Sequence, residues 1–175
     1  MGFDMSNLIM KRRSIRNFKD VKLTEEEIQE LVKAGLFAPT SRSNKGVELI
    51  VVDEKDLILK LKDCRNTSTK GLETAPCAIV VIGDREKSDV WVEDGAIAAS
   101  YIQLRAEDLG LGSVWIQMRN RVSDNDSSEN EVRRLLSIPE KYGVLCIIAL
   151  GHKNENKEAY TENDLDRFRV HYNKF

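Results

Sequence analysis

A chain of 175 residues that is 41% hydrophobic and 32% charged has the length and composition of one ordinary globular domain with a real core. Its 27 Lys and Arg nearly cancel 29 Asp and Glu, for a net charge of −2; nucleic-acid binders are usually basic, so that class starts disfavoured. No apolar run approaches the roughly 18 residues that cross a membrane. The leading MGFDMSNLIMKRR is unlike a secretory signal, because its apolar residues come first, are broken by Asp4, and precede the positive charges. The expected location is cytoplasmic.

In chain order, residues 6–11 can form a short helix. Next comes Arg12-Arg13-Ser14-Ile15-Arg16. Arg12, Ser14 and Arg16 alternate, so in an extended segment they share one side. Two guanidinium forks and a hydroxyl converging on a small volume suit a phosphate. Taken alone, such a cluster reads first as a basic patch on a solvated face. Thr24-Glu25-Glu26-Glu27 is a capping box, and Ile28, Leu31, Val32 and Leu36 follow at helical spacing, with an end near Ala38-Pro39. Residues 40–46 form a polar loop, 47–52 a strand and 56–61 a short helix; a second polar loop starts at Lys62 and runs through Gly71.

The apolar run 78–82, closed by Gly83-Asp84, reads as a strand covered on both faces. Residues 93–109 form the longest helix; its middle, Ala96-Ile97-Ala98-Ala99, is apolar almost all round and is expected to be buried. Gly110-Leu111-Gly112 ends it, and 113–117 is a strand leading into a polar loop. Ser128-Glu129-Asn130-Glu131 reads as a second capping box, opening a helix to Leu136 that Pro139 closes. Residues 144–150 are the last buried strand. From Gly151 the tail is polar, with Tyr160, Leu165, Phe168, Val170, Tyr172 and Phe175 as scattered anchors. Disorder is the default for such a terminus, but aromatic anchors at its end point to docking. The alternation of strands and helices implies an α/β or α+β sandwich. Residues 1–150 form one domain and 151–175 an extension; so apolar a helix in so small a chain implies a dimer core.

Cys64, Cys77 and Cys146 show no CxxC spacing, and Cys77 and Cys146 sit in apolar strands as small core residues. His152 and His171 lack a metal-ligand spacing. No Ser/His/Asp triad and no zinc pattern has sequence support, so hard chemistry would fall to a bound cofactor.

Five landmarks in order carry a resemblance: Arg12-Arg13-Ser14-Ile15-Arg16, Ala38-Pro39-Thr40-Ser41, Ala75-Pro76 before a strand, Trp91-Val92-Glu93-Asp94 opening the long helix, and Leu109-Gly110-Leu111-Gly112-Ser113. Each is modest alone; their order and spacing are specific, and the chain resembles the FMN-dependent nitroreductases. That resemblance implies an α+β sandwich, with a central mixed sheet flanked by helices, in an intertwined homodimer with FMN at the subunit interface. It implies Arg12 and Ser14 as phosphate ligands and Arg16 as the cation near the pyrimidine edge of the isoalloxazine. Arg13 would pack along the flavin. Pro39, Thr40, Ser41 and Ser43 would reach the cofactor from the other subunit. Thr67 and Lys70 fall where the family places an amide and a cation; the hydroxyl is a departure. Ile116 and Gln117 would bring backbone groups to flavin N5. The tail would wrap the partner and supply a basic phosphate ligand, with Arg169 the first candidate and Arg167 and Lys153 behind it.

Several of these residues keep a second reading. Lys70 fits a solvated loop as well as a cofactor contact, Arg169 an ion pair with a tail acid as well as a phosphate. Thr67 reads first as a turn residue, and Trp91 and Trp115 as core. Where many members continue the proline-serine loop into asparagine and then glutamine-proline-tryptophan, this chain has Ser43-Asn44-Lys45-Gly46-Val47, and Gly46 lacks proline's rigidity. The implied function is transfer of electrons from NAD(P)H through FMN to a small electron-poor acceptor, nitroaromatic or quinone-like, by a ping-pong mechanism, with no catalytic side chain and no metal. Reductive dehalogenation or flavin breakdown on the same scaffold, and flavin storage without turnover, are the rivals.

Overall fold

The computed structural model describes residues 5–175; Asp4, on which the reading of the leader turned, lies outside the described residues. Four strands form one sheet in the order β1-β2-β4-β3: β1 (Val47–Val52), β2 (Cys77–Asp84), β3 (Leu111–Gln117) and β4 (Tyr142–His152). Every strand pair in it is antiparallel. Among the described residues the expected mixed sheet therefore has its parallel component only as a single bridge, Ser14 to Ser113, on the outer edge of β3.

The sheet is sandwiched, and the two-residue period of β2 shows how. Ala78, Val80 and Ile82 face a core shared with α3 (Lys55–Asp63) and α5 (Ser128–Leu136); Cys77, Ile79 and Val81 face one shared with α2 (Glu25–Leu36) and α4 (Trp91–Asp108). All eight residues of β2 are buried, as a strand covered on both faces requires. A bulge interrupts the β2–β4 register after Val81 and leaves Leu145 as the extra residue. The Leu145 carbonyl turns instead to the backbone N–H groups of Met118 and Arg119, each at 3.0 Å. It thereby fixes the chain just past the end of β3.

Local chemistry explains the element ends. Thr24 caps α2 with both halves of the capping box in place, an arrangement whose loss to alanine typically costs about 1 kcal/mol. The second box is displaced by one residue: Ser127, not Ser128, caps α5 and accepts from the Asn130 N–H at 3.2 Å. Ser128 is fully buried as the first helical residue. Glu131 is drawn off to Arg134 at 2.9 Å, so it closes no box. The helix at 56–61 extends to Asp63, β3 begins two residues early at Leu111, and β4 runs to His152, which moves the start of the tail to Lys153.

Within one chain, α4 is buried on one side only. Ala98, Ala99, Ile102 and Ala106 are buried, but Ile97 and Tyr101 are exposed on the opposite side. With Met5 and Leu8 of α1 (Met5–Lys11), Tyr101 and Leu104 line an apolar groove of about 550 Å³. Among the described residues no helix is long and apolar enough to cross a membrane.

Candidate functional site

The segment after α1 is pinned to the outer edge of β3. The Ile15 N–H donates to the Ser113 carbonyl at 3.0 Å, and Ile15 is buried at 2% exposure. Gly112 makes this approach possible, because a Cβ there would meet Ile15 Cγ2 at 2.8 Å. With Ile15 pointing in, the alternation puts Arg12, Ser14 and Arg16 on the other side; Arg12 and Ser14 are half-buried and Arg16 is exposed. Arg13, between them, meets the tail. Its guanidinium donates to the Glu158 carbonyl and lies 4.5 Å over the Tyr160 ring, so it ties down the tail.

The start of the tail lies against this segment. Asn154 N–H donates to the Asn17 carbonyl at 3.0 Å, Glu155 Oε1 accepts from the Arg16 and Asn17 N–H groups, and Tyr160 N–H donates to the Met10 carbonyl at 2.9 Å. The Arg16 N–H is the main reason the Glu155 carboxyl is held below its usual range. Lys157 Nζ donates to the Ser14 carbonyl at 2.7 Å, which adds an ammonium that sequence reasoning did not single out. Of the three expected tail cations, Lys153 pairs with Glu107 at 2.7 Å and Arg167 with Glu162 at 3.3 Å. Arg169 is exposed, and its side chain has no hydrogen bond or ion pair among the described residues of its own chain.

Beside the same edge is a cavity of about 260 Å³ lined by Arg16, Arg65, Ser68, Lys70 and the 114–117 stretch of β3. Arg16, Lys70, Ile116 and Gln117 are thus brought together as expected. Thr67 is exposed and outside the lining; Ser68, at φ +62°, takes the place next to Lys70. Gly71 lies against β3, since a Cβ there would meet Val114 Cγ1 at 2.5 Å. Ile116 is 1% exposed. Gln117 is fixed at both ends of its amide, accepting from Trp115 Nε1 at 2.8 Å and donating to the Arg119 carbonyl at 3.0 Å. Trp91 packs over Gly83, where a Cβ would come within 2.7 Å of its ring, the core role expected of it.

Arg65 is the residue that sequence reasoning missed altogether. It follows α3 in a loop without periodicity, and only the fold brings it to β3. Among the described residues, three cations and no carboxylate line the cavity, and the Arg65 Nε is buried without a hydrogen-bond partner. This donor set fits an anionic, acceptor-rich ligand such as the flavin that the resemblance implies. At about 260 Å³, however, one chain supplies less than the roughly 300–1,000 Å³ of a complete ligand pocket.

Pro39, Thr40, Ser41 and Ser43 stand elsewhere. Their loop enters β1, at the opposite edge of the sheet from β3. Three strand spacings separate those edges, roughly 14 Å, and the loop lines no part of the cavity in its own chain. Asp94 organises it: this buried carboxylate accepts from the Ser41 N–H at 2.8 Å, Asn44 Nδ2 at 3.4 Å and Ser88 Oγ at 3.1 Å. Arg42, Ser43 and Lys45 are held at positive φ, a costly backbone for residues other than glycine. The polar run 40–46 announced a loop, but nothing in it announced the anchor 50 residues on.

The three cysteines are free and buried. Burial pushes the Cys64 thiol up to about 11 and the Cys77 thiol to about 12, and raises the Cys146 thiol well above its ordinary value. Thiols so placed remain protonated near neutrality.

Comparison with known proteins agrees with this architecture. The model of the nitroreductase family matches residues 9–66 and 62–152. A protein of Archaeoglobus fulgidus, provisionally named NADH dehydrogenase/NAD(P)H nitroreductase, is 33% identical over 96% of this chain and 97% of its own. The structure of an FMN-dependent nitroreductase from Clostridium difficile is 48% identical, covers 97% of this chain and 99% of that one, and superposes with a TM-score of 0.95. The NADPH:FMN oxidoreductase of Vibrio harveyi, solved with NAD+, is 28% identical over 98% of this chain and 77% of that one, with a TM-score of 0.83. With an α+β sandwich of the same shape and a family match across most of its length, the chain belongs to the nitroreductase family.

Proposed function

We propose that this chain is an FMN-dependent oxidoreductase. It takes electrons from NAD(P)H and passes them by a ping-pong mechanism to a small electron-poor acceptor, nitroaromatic or quinone-like. The observation that carries the reading is the carboxylate-free cavity on the edge of β3, lined by Arg16, Arg65 and Lys70 beside the alternating Arg12, Ser14 and Arg16. Relatives named for FMN and NADPH support it.

In this reading Arg12 and Ser14 hold the phosphate by charge-assisted and hydroxyl hydrogen bonds. Arg16 and Lys70 set positive charge beside the pyrimidine edge, and Ile116 and Gln117 present the end of β3 to the ring. Ser68 stands in for the amide that Thr67 was expected to replace. The protein works as a cytoplasmic homodimer. The loop from Pro39 to Ser43, braced by Asp94, reaches the ring from the partner subunit, and the tail wraps the partner and delivers Arg169 toward the phosphate. When bound, FMN supplies the two-electron chemistry, accepting hydride from the nicotinamide and returning electrons to the acceptor. The chain's own task is to fix the ring, exclude water from it and meet developing negative charge with cations already in place. No proton-transferring side chain is required.

The visible spectrum of the purified protein tests the reading. A yellow protein that bleaches with anaerobic NADPH or NADH, and recovers colour with a quinone or nitroaromatic, is expected. Colourless protein that takes up no FMN overturns the assignment; yellow protein that no nicotinamide bleaches reduces it to flavin binding.

A further inference from the structure

Arg65 belongs to none of the sequence landmarks, yet it shares the cavity with Arg16 and Lys70. Its Nη1 donates to the Gln117 carbonyl at 3.0 Å. Its Nε is buried and has no hydrogen-bond partner among the described residues. No carboxylate forms an ion pair with it there. Burial, and then repulsion from Arg121, hold its pKa below the ordinary arginine value. A guanidinium partly removed from water, facing a second cation and given no counter-ion, is costly for a fold to keep. An anionic or acceptor-rich ligand in the cavity would offset the unpaired charge. The neighbours narrow the choice, because three cations with Ser68 and Gln117 leave the cavity rich in donors and without an acid.

We propose that Arg65 is a further flavin-binding residue: the edge of its guanidinium that lines the cavity donates to an acceptor atom of the isoalloxazine, while Nη1 fixes the end of β3 against which the ring lies. The inference rests on the FMN reading above. It assigns Arg65 two separable effects. The hydrogen bond adds to cofactor affinity, and the charge stabilises the negative charge that the ring gains on reduction. A residue that merely braced Gln117 would show neither effect on the potential.

The test compares wild-type holoprotein with Arg65→Met and Arg65→Lys, by FMN titration and by the midpoint potential of the bound flavin. For Arg65→Met we expect FMN affinity to fall by about tenfold, the effect of losing one charge-assisted hydrogen bond. The potential should fall by about 30 mV, which is tenfold in a two-electron equilibrium. Arg65→Lys should restore the potential and leave the affinity weakened. Arg65→Met with wild-type affinity and potential overturns the proposal, as do Met and Lys variants shifted alike, because charge is then irrelevant. If Arg65→Met holds no flavin, Arg65→Lys decides: a near-wild-type potential supports the role, and a flavin-free Lys variant overturns it. Wild-type protein that is colourless in FMN defeats the FMN reading itself, whereas yellow wild-type protein with unaltered variants defeats Arg65 alone.

Discussion

Arg12, Ser14 and Arg16 share a side because Ile15 is buried beneath them and bonded to Ser113. That geometry gives the first prediction. Replacing Arg12 and Ser14 together with alanine should release FMN, seen as loss of the visible absorbance on gel filtration; full occupancy would show that the phosphate sits elsewhere. Arg16 has a different task, since it lines the cavity with Lys70 and Arg65. On the proposed reading its charge is needed chiefly as negative charge builds on the ring. Arg16→Ala should therefore slow flavin reduction in stopped flow by about tenfold or more, with little change in the nicotinamide dissociation constant. A cysteine-free variant should be reduced at the wild-type rate, because the three thiols are buried and held protonated. Failure of its reduction with FMN still bound would bring a thiol into the mechanism. At this scale the sequence displayed residues that act through spacing, as 12, 14 and 16 do. It hid Arg65, Lys157 and Asp94, whose neighbours are set by a loop, a tail and a helix start far away in the chain.

Elements were legible where one period or one cap decides them. The capping box at Thr24, the strand at 47–52 and the doubly covered β2 all stand as read. Misplacements came where two local solutions compete. Ser127 and Ser128 both precede a helical pattern, and packing chose: one side chain is in the cap and the other fully buried. The bulge at Leu145 had no signal, because both neighbours are apolar. The turn before α5 carries a prediction about pH. Arg134, then Asn130 and the Ser127 N–H, hold the Asp126 carboxyl below its ordinary 3.8, at about 2. A carboxylate whose pKa is depressed by folding contributes stability above its unfolded pKa and loses it as pH falls through the folded one. The difference in thermal unfolding midpoint between wild type and Asp126→Asn should thus be full above about pH 4 and close toward about pH 2. A difference constant over that window would mean that the charge is not what holds this turn.

The whole molecule is where one chain leaves most undone. Its cavity is walled by β3, the segment at Arg16 and the loop from Arg65 to Gly71, and the loop from Pro39 to Ser43 stands at the far edge of the sheet. The groove along α1 and α4 is open, with Tyr101 43% exposed. The tail leaves the surface after Tyr160 and turns its anchors outward: Phe168 is 95% exposed and Tyr172 84%. Each aromatic side chain can bury some 150–250 Å², so their exposure forfeits several kcal/mol that a second copy would recover. The tail's polarity was plain from sequence, and its aromatic anchors pointed to docking; within its own chain those anchors find no cover. We expect a homodimer with the tail of each subunit on the other. Sedimentation at low micromolar concentration should give twice the chain mass, and flavin should co-sediment with it. Removing the residues after Tyr160 keeps the bonds of Asn154, Glu155, Lys157 and Tyr160 to the segment at 10–17 and deletes only the outward part. That truncation should weaken the dimer and FMN binding together, while each subunit keeps its sheet and both cores. A truncated protein that stays dimeric and yellow would show that the tail is dispensable, and a flavin-loaded monomer of the full chain would show that one subunit completes the site alone.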